Sequence, residues 1–149
     1  MCASDRTSGR LGVTLSEGFQ VRLDDNWRTL VRSRANMLIV GPRRAHDAFL
    51  RAAEPELLQP IQFFSSAAGL LEAPCRTLVL LDVAALDAGQ QQDVLKRTAT
   101  PAAERPQILS FTETHLWRGG LPSTMSPDLY YRLNTVCIEI EASPATARV

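Results

Sequence analysis

The stretch RTLVLLDV, residues 76–83, decides the fold of this chain. It is an apolar run without polar alternation, it follows Pro74 closely, and it ends in the acidic residue Asp82. Such a run is typical of a strand that is buried on both faces, which implies a parallel sheet with helices on each side. Because open α/β sheets bind ligands at the carboxyl ends of their strands, Asp82 is a candidate site residue.

Outward from this strand, apolar segments and helical patterns alternate along the chain. The other predicted strands cover residues 37–40, 60–64, 107–111 and 135–140, and a short extended segment covers 19–23. The predicted helices lie near 27–35, 45–53, 65–71, 88–98 and 127–133. This order predicts an α/β fold with a single doubly wound, mainly five-stranded parallel sheet. Right-handed crossovers then bring the carboxyl ends to one edge, so Gly41, Asp82 and Glu113 should lie near one another.

Length and composition indicate one domain. The 149 residues are enough for a sizeable core. The α/β domain is predicted to span 19–141, between a polar N-terminal arm, 1–18, and a tail, 142–149, that are both expected to be disordered. Sixteen basic and sixteen acidic residues cancel, and no recognition-helix motif is present, so we expect no direct DNA binding.

The sequence predicts a cytoplasmic protein that does not contact a membrane. The first ten residues contain no apolar stretch of a secretory signal, and no apolar run approaches the roughly 20 residues that span a bilayer. The three cysteines, Cys2, Cys75 and Cys137, match no disulfide framework and no metal spacing. We therefore expect reduced core thiols and no bound metal.

Several motifs resemble those of one protein family. Residues 128–134, DLYYRLN, resemble the motif with the same letters in the AAA+ domain of sigma-54-dependent transcription activators. Residues 77–83 resemble that family's Walker B strand, residues 107–112 the strand that leads to sensor I, and residues 37–41 the strand that enters the P-loop. The resemblance covers about residues 36–140 and implies a P-loop NTPase core of the AAA+ type, without the helical lid.

The P-loop positions depart from the family's pattern. The family has a glycine-rich turn and a lysine that together cradle phosphates, whereas Gly41 is followed here by Pro42, Arg43 and Arg44, and the lysine position holds Asp47. An acid at that position repels phosphate. The only lysine of the chain, Lys96, lies on a later helix and cannot take its place.

The Walker B and sensor positions depart as well. In ungapped register Leu81 stands at the magnesium-binding aspartate and Asp82 at the glutamate that prepares the attacking water. Glu113 stands at the sensor I asparagine, and Ser126 replaces the first of two family arginines, of which the second is kept as Arg132. The resemblance therefore implies a degenerate, truncated domain with no catalytic residue, an inactive ATPase remnant.

Two functions follow as hypotheses. The first is a non-hydrolysing regulatory or interaction module in transcriptional regulation or signalling, which needs no cofactor and whose protein partner is an activator subunit or a signalling protein. The alternative is a sensor that binds ATP or ADP with Mg²⁺. The relic nucleotide-binding residues are then the set Gly41, Arg43, Arg44, Asp82 and Glu113.

Each of these residues also has a purely structural interpretation. Arg43 and Arg44 form a solvated pair after a strand, and Asp82 is an acid that complements a helix dipole. Three residues near the C-terminus are a candidate protein interface, because arginine and tyrosine concentrate at such surfaces, although tyrosines at these positions also pack against a sheet: Tyr130, Tyr131 and Arg132.

Overall fold

The computed structural model describes residues 14–15, 21–22, 25–67, 73–114, 116 and 125–140. The other segments, which include most of the predicted arm, part of the predicted 65–71 helix and the predicted tail, lie outside the described residues. Within the predicted arm, two residues form a short strand that pairs antiparallel with a second one (β1, Thr14–Leu15; β2, Val21–Arg22).

The remaining elements alternate between strand and helix. The strands are β3 (Met37–Val40), β4 (Ile61–Phe64), β5 (Thr77–Leu80), β6 (Gln107–Thr112) and β7 (Val136–Glu139). The helices are α1 (Asp25–Arg32), α2 (Arg43–Ala53), α3 (Ala88–Thr98) and α4 (Pro127–Leu133), with 3₁₀ turns at Glu54–Glu56 and Val83–Ala85.

The five long strands form one parallel sheet in the order β4-β5-β6-β3-β7. The central strands β5, β6 and β3 are buried along their whole length, as the inner strands of a parallel sheet with both faces covered should be. In β6 the buried residues include the polar Gln107, Ser110 and Thr112. The predicted five-stranded parallel sheet is therefore confirmed, including the position of each strand.

Helices cover both faces of this sheet and create two cores. Because side chains alternate along a strand, Leu38 and Val40 face one core, whereas Met37 and Ile39 face the other. The first core lies under α3 and α4, and the second lies under α1 and α2. The fold is thus a three-layer α/β/α domain whose strands all end at one edge, the carboxyl edge.

The helix predictions agree best where caps are present in the sequence. Helices α3 and α4 have the predicted bounds, and α3 begins with a reciprocal capping box between Asp87 and Gln90. Helix α2 begins at Arg43, two residues before the predicted start, since Pro42 adopts an extended conformation suited to an N-cap. This shift places Arg43 and Arg44 in the first helical turn instead of a loop.

Two further expectations concern membrane contact and the oxidation state of the cysteines. Among the described residues, no helix is both long and apolar enough to cross a membrane. Cys75 is a buried free thiol, but Cys137 is disulfide-bonded. The prediction of reduced core thiols is therefore right for Cys75 and wrong for Cys137.

Candidate functional site

The turn between β3 and α2 is the part of the carboxyl edge that would meet a phosphate. It consists of Gly41 and Pro42 alone, because α2 already begins at Arg43. A phosphate cradle is built from several successive backbone N–H groups that converge on the anion. Here Pro42 has no N–H, and the Gly41 N–H donates to the Thr112 carbonyl oxygen at 3.0 Å. Neither residue of this turn therefore presents an unused backbone N–H to an anion.

Gly41 is required by packing against the end of β7. A Cβ atom at this position would lie 2.6 Å from the Ile140 carbonyl oxygen and 3.1 Å from the Ile140 Cβ. The ends of the two strands are held together there by a hydrogen bond, in which the Ile140 N–H donates to the Val40 carbonyl oxygen at 2.7 Å. The glycine thus allows β3 and β7 to continue side by side beyond the last paired residues.

Arg43 brings the predicted acids of the site together. Its Nη2 lies 3.8 Å from a carboxylate oxygen of Asp82, and its Nε lies 3.5 Å from a carboxylate oxygen of Glu113. The predicted proximity of the three strand ends is therefore confirmed. A guanidinium group stands between the carboxylates at the two positions that the family resemblance assigns to Walker B and sensor I.

These ion pairs are exposed to solvent. The side chains of Arg43, Asp82 and Glu113 are 70%, 41% and 55% exposed, respectively. Exposed pairs of this kind contribute at most about 1 kcal/mol each to stability, because solvent screens both charges. Arg43 therefore offsets the charge of the two acids, but these weak pairs do not fix the three side chains in one arrangement.

Three other positions that the family resemblance singles out are also exposed. Arg44 and Asp47 are exposed residues of α2, while Leu81, at the position of the magnesium-binding aspartate, is 44% exposed although it is apolar. Among the described residues there is no group of three or more side chains arranged to hold a metal ion. A metal at this edge would have to rely on Asp82 and Glu113, both of which already face Arg43.

His46 lies beneath the turn, and the sequence reasoning assigned it no role. Its Nε2 is 3.1 Å from the Thr112 carbonyl oxygen, so the ring N–H donates to that carbonyl, and the ring packs on Phe111 with centroids 5.1 Å apart. Burial, as the largest cause, lowers the pKa of His46. The signal in the sequence was its spacing from Phe49, which places both side chains on the buried face of α2.

The three residues of the predicted interface differ in accessibility. Tyr130 is 1% exposed and belongs to the core, where its hydroxyl accepts a hydrogen bond from the Asn134 side-chain amide at 3.0 Å. Tyr131 is 63% exposed, and the exposed Arg132 donates to the Thr98 hydroxyl at 3.1 Å. Tyr131 and Arg132 are thus exposed to solvent, whereas Tyr130 packs against the sheet.

Comparison with known proteins agrees with this architecture. No family model matches the chain, and no curated protein is similar to it. Solved structures are similar, among them NtrX from Brucella abortus in complex with ADP, at 17% identity and a TM-score of 0.55 over 78% of this chain and 34% of that chain. The same protein in complex with ATP gives 18% identity and a TM-score of 0.50 over 77% of this chain and 35% of that chain.

The similarity shows that the chain has the α/β fold of the part of NtrX that it matches. The chain spans about a third of the length of the NtrX chains that it matches.

Proposed function

We propose that this chain is a non-hydrolysing regulatory module, a degenerate AAA+-like core that acts through protein–protein contacts in transcriptional regulation or signalling. The observation that carries the proposal is Arg43, whose guanidinium lies between Asp82 and Glu113. The partner we propose is a sigma-54 activator subunit or a protein of its signalling pathway.

The physical argument concerns charge. Phosphoryl transfer depends on a metal and on cationic side chains that neutralise the charge developing on the phosphate. At this edge the two acids face an arginine of the same chain, and the lysine position of the resemblance holds Asp47. A bound nucleotide with Mg²⁺ would have to displace Arg43 and then gain nothing from a lysine. We therefore propose that the chain hydrolyses no ATP.

A second candidate is a sensor that binds ATP or ADP without hydrolysis. It is favoured by the 70% exposure of the Arg43 side chain, because solvent-screened ion pairs can be exchanged for a phosphate at little cost. Arg43 and Arg44 also lie in the first turn of the eleven-residue helix α2, where backbone N–H groups and bidentate guanidinium groups attract anions.

One set of measurements separates the two candidates. The purified chain is titrated with MgATP and MgADP by calorimetry, and phosphate release is followed on the same sample. The interaction module gives no phosphate release and no dissociation constant tighter than about 1 mM. The sensor gives tighter binding that weakens in Arg43→Ala. Phosphate release above that of an Asp82→Ala control contradicts both candidates.

The interaction itself is tested by mixing. The chain is combined with a full-length sigma-54 activator ATPase, and co-sedimentation and the activator's ATP turnover are measured. The proposal expects association, a change in turnover, or both. If neither is seen with activators or with proteins of their pathway, the proposed role is wrong.

A further inference from the structure

The edge of the sheet opposite the candidate site carries a row of arginines. Arg76 precedes β5, Arg105 precedes β6 and Arg34 precedes β3, and these three strands are neighbours in the sheet. Since adjacent strands lie about 4.8 Å apart, the backbone positions of this arginine row span roughly 10 Å. We call this edge the amino edge.

The arginine row is anchored by hydrogen bonds between the segments that precede the strands. Arg34 Nη2 donates to the Arg76 carbonyl oxygen at 3.0 Å, and the same oxygen accepts from the Gln107 N–H at 3.1 Å. Arg105 donates from Nε and Nη2 to the Thr100 carbonyl oxygen at 3.3 Å and 3.2 Å. The guanidinium groups of Arg34 and Arg105 are thus held in place by backbone, and each keeps further N–H donors.

Carboxylates do not neutralise the arginine row. Within the described part of the chain, Arg34, Arg76 and Arg105 make no ion pair, and Glu104 is the acid that adjoins them in sequence. The positive charge of Arg76 lowers the pKa of Arg34, in addition to the larger effect of burial. Arg34 and Arg76 are therefore close enough to repel each other.

Arg34 adopts a backbone conformation that is unfavourable for its residue type. Its φ is 66°, in the left-handed region that glycine and asparagine occupy more readily than a long side chain does. In addition, its Nε is buried without a hydrogen-bond partner. A glycine or asparagine would satisfy the turn, so the backbone alone gives no reason for an arginine.

Helix dipoles explain some of the basic residues of this edge. In a parallel α/β fold the helices end at the amino edge, where cations complement the carbonyl-rich helix ends. That account covers the basic residues in the last helical turns, Arg32, Arg51, Lys96, Arg97 and Arg132. Arg34 also follows the end of α1, where its N–H donates to the Val31 carbonyl oxygen at 3.1 Å, whereas Arg76 and Arg105 precede strands and lie in no helix.

We propose that the arginine row docks an acidic, extended segment of a partner protein. Roughly 10 Å corresponds to about three residues of extended chain, so carboxylates on a short acidic run can each meet a guanidinium. Arginine forms bidentate pairs with carboxylates, which suits a chain whose sixteen basic residues include one lysine. The proposal deepens the interaction role proposed above and rests on it for the nature of the partner.

A protein segment fits this surface better than a nucleic acid does. The row is short, so it offers few of the phosphate contacts on which nucleic-acid affinity depends. The chain as a whole has a formal net charge of zero and so lacks the long-range attraction that nonspecific nucleic-acid binding requires.

The test uses a fluorescent peptide of ten glutamates and the whole chain. Binding is measured by anisotropy at low and at physiological salt, and compared with a single-stranded DNA of equal charge. Arg76→Gln and Arg105→Gln are each expected to weaken peptide binding about three- to tenfold, the loss of one charge-assisted contact. Arg51→Gln, an exposed arginine on the last turn of α2, is the matched control and leaves binding unchanged.

Each result decides the proposal. Loss of peptide binding in the two row variants, with normal thermal melts and an unaffected control, supports it. It is overturned if the wild-type chain binds no peptide at low salt, if the control loses as much affinity, or if the DNA binds more tightly. Phosphate release from ATP is followed in parallel, because turnover would refute the proposed function without affecting the result for the arginine row.

Discussion

The substitution Gly41→Ala tests whether Gly41 is needed for packing against Ile140 or for binding a phosphate group. The added Cβ would lie 2.6 Å from the Ile140 carbonyl oxygen, whereas real Cβ contacts essentially never fall below 3.0 Å. The end of β7 must therefore move by at least 0.4 Å, the difference between these two distances, and the obstacle is a backbone atom that cannot rotate away. The same movement disturbs the 2.7 Å hydrogen bond from Ile140 to Val40.

The expected cost follows from overpacking at a buried site. We expect Gly41→Ala to lower the free energy of unfolding by about 2 kcal/mol, within the range found for extra groups forced into packed interiors. For a chain of this length the melting temperature then falls by about 8 °C. Urea unfolding followed by circular dichroism measures the free energy, and calorimetry measures the melting temperature.

Gly89→Ala is the matched control, with the opposite sign. Gly89 lies in the first turn of α3, and a Cβ there would meet the Asp87 carboxylate oxygen at 3.4 Å, an ordinary contact. Alanine favours the helix over glycine, so stability is expected to rise by about 0.5 kcal/mol. If Gly41→Ala is as stable as the wild-type chain but abolishes binding of ATP, the glycine serves a ligand and the packing argument fails.

Three further substitutions test individual contacts. Arg34→Asn is expected to leave the free energy of unfolding within about 1 kcal/mol, because asparagine tolerates the positive φ, yet to weaken binding of the glutamate peptide as the other row variants do; a large loss of stability would contradict this. Gln91→Leu leaves the Leu86 carbonyl and the Ser126 N–H unpaired and should cost about 2 kcal/mol in urea unfolding. The folded-state pKa of His46 lies below its ordinary value of 6.5, so the folded state is most stable above pH 6.5 and loses stability as the pH falls and the buried ring is protonated. His46→Gln should therefore flatten the pH dependence of the free energy of unfolding between pH 7.5 and 5.5. An unchanged slope would refute the lowered pKa of His46.

The positions of the strands and helices along the chain were accessible to sequence reasoning because they depend on local patterns. Strands buried on both faces are mainly apolar, as β3 is throughout and β5 is after Thr77. Helices with recognisable caps, such as α3 with Asp87, had correct bounds for the same reason. The start of α2 was predicted two residues late, since Pro42 and the two arginines after it read as a loop although they suit a helix start.

The candidate site was only partly accessible. The crossover rule correctly brought Asp82 and Glu113 to one edge. It could not predict that Arg43 would pair with both, because that depends on where α2 begins and on side-chain direction. Tyr130 and Tyr131 are adjacent and chemically identical in the sequence, yet one is in the core and the other is exposed.

The sequence by itself determined the succession of strands and helices along the chain and the carboxyl edge at which Asp82 lies. Apolar runs and the handedness of crossovers do not depend on distant partners. Only the tertiary structure decided the contact between Gly41 and Ile140 and the arginine row that precedes three neighbouring strands. The physical reason is that these contacts join residues far apart in the chain, and strand order, which no local pattern encodes, brings them together.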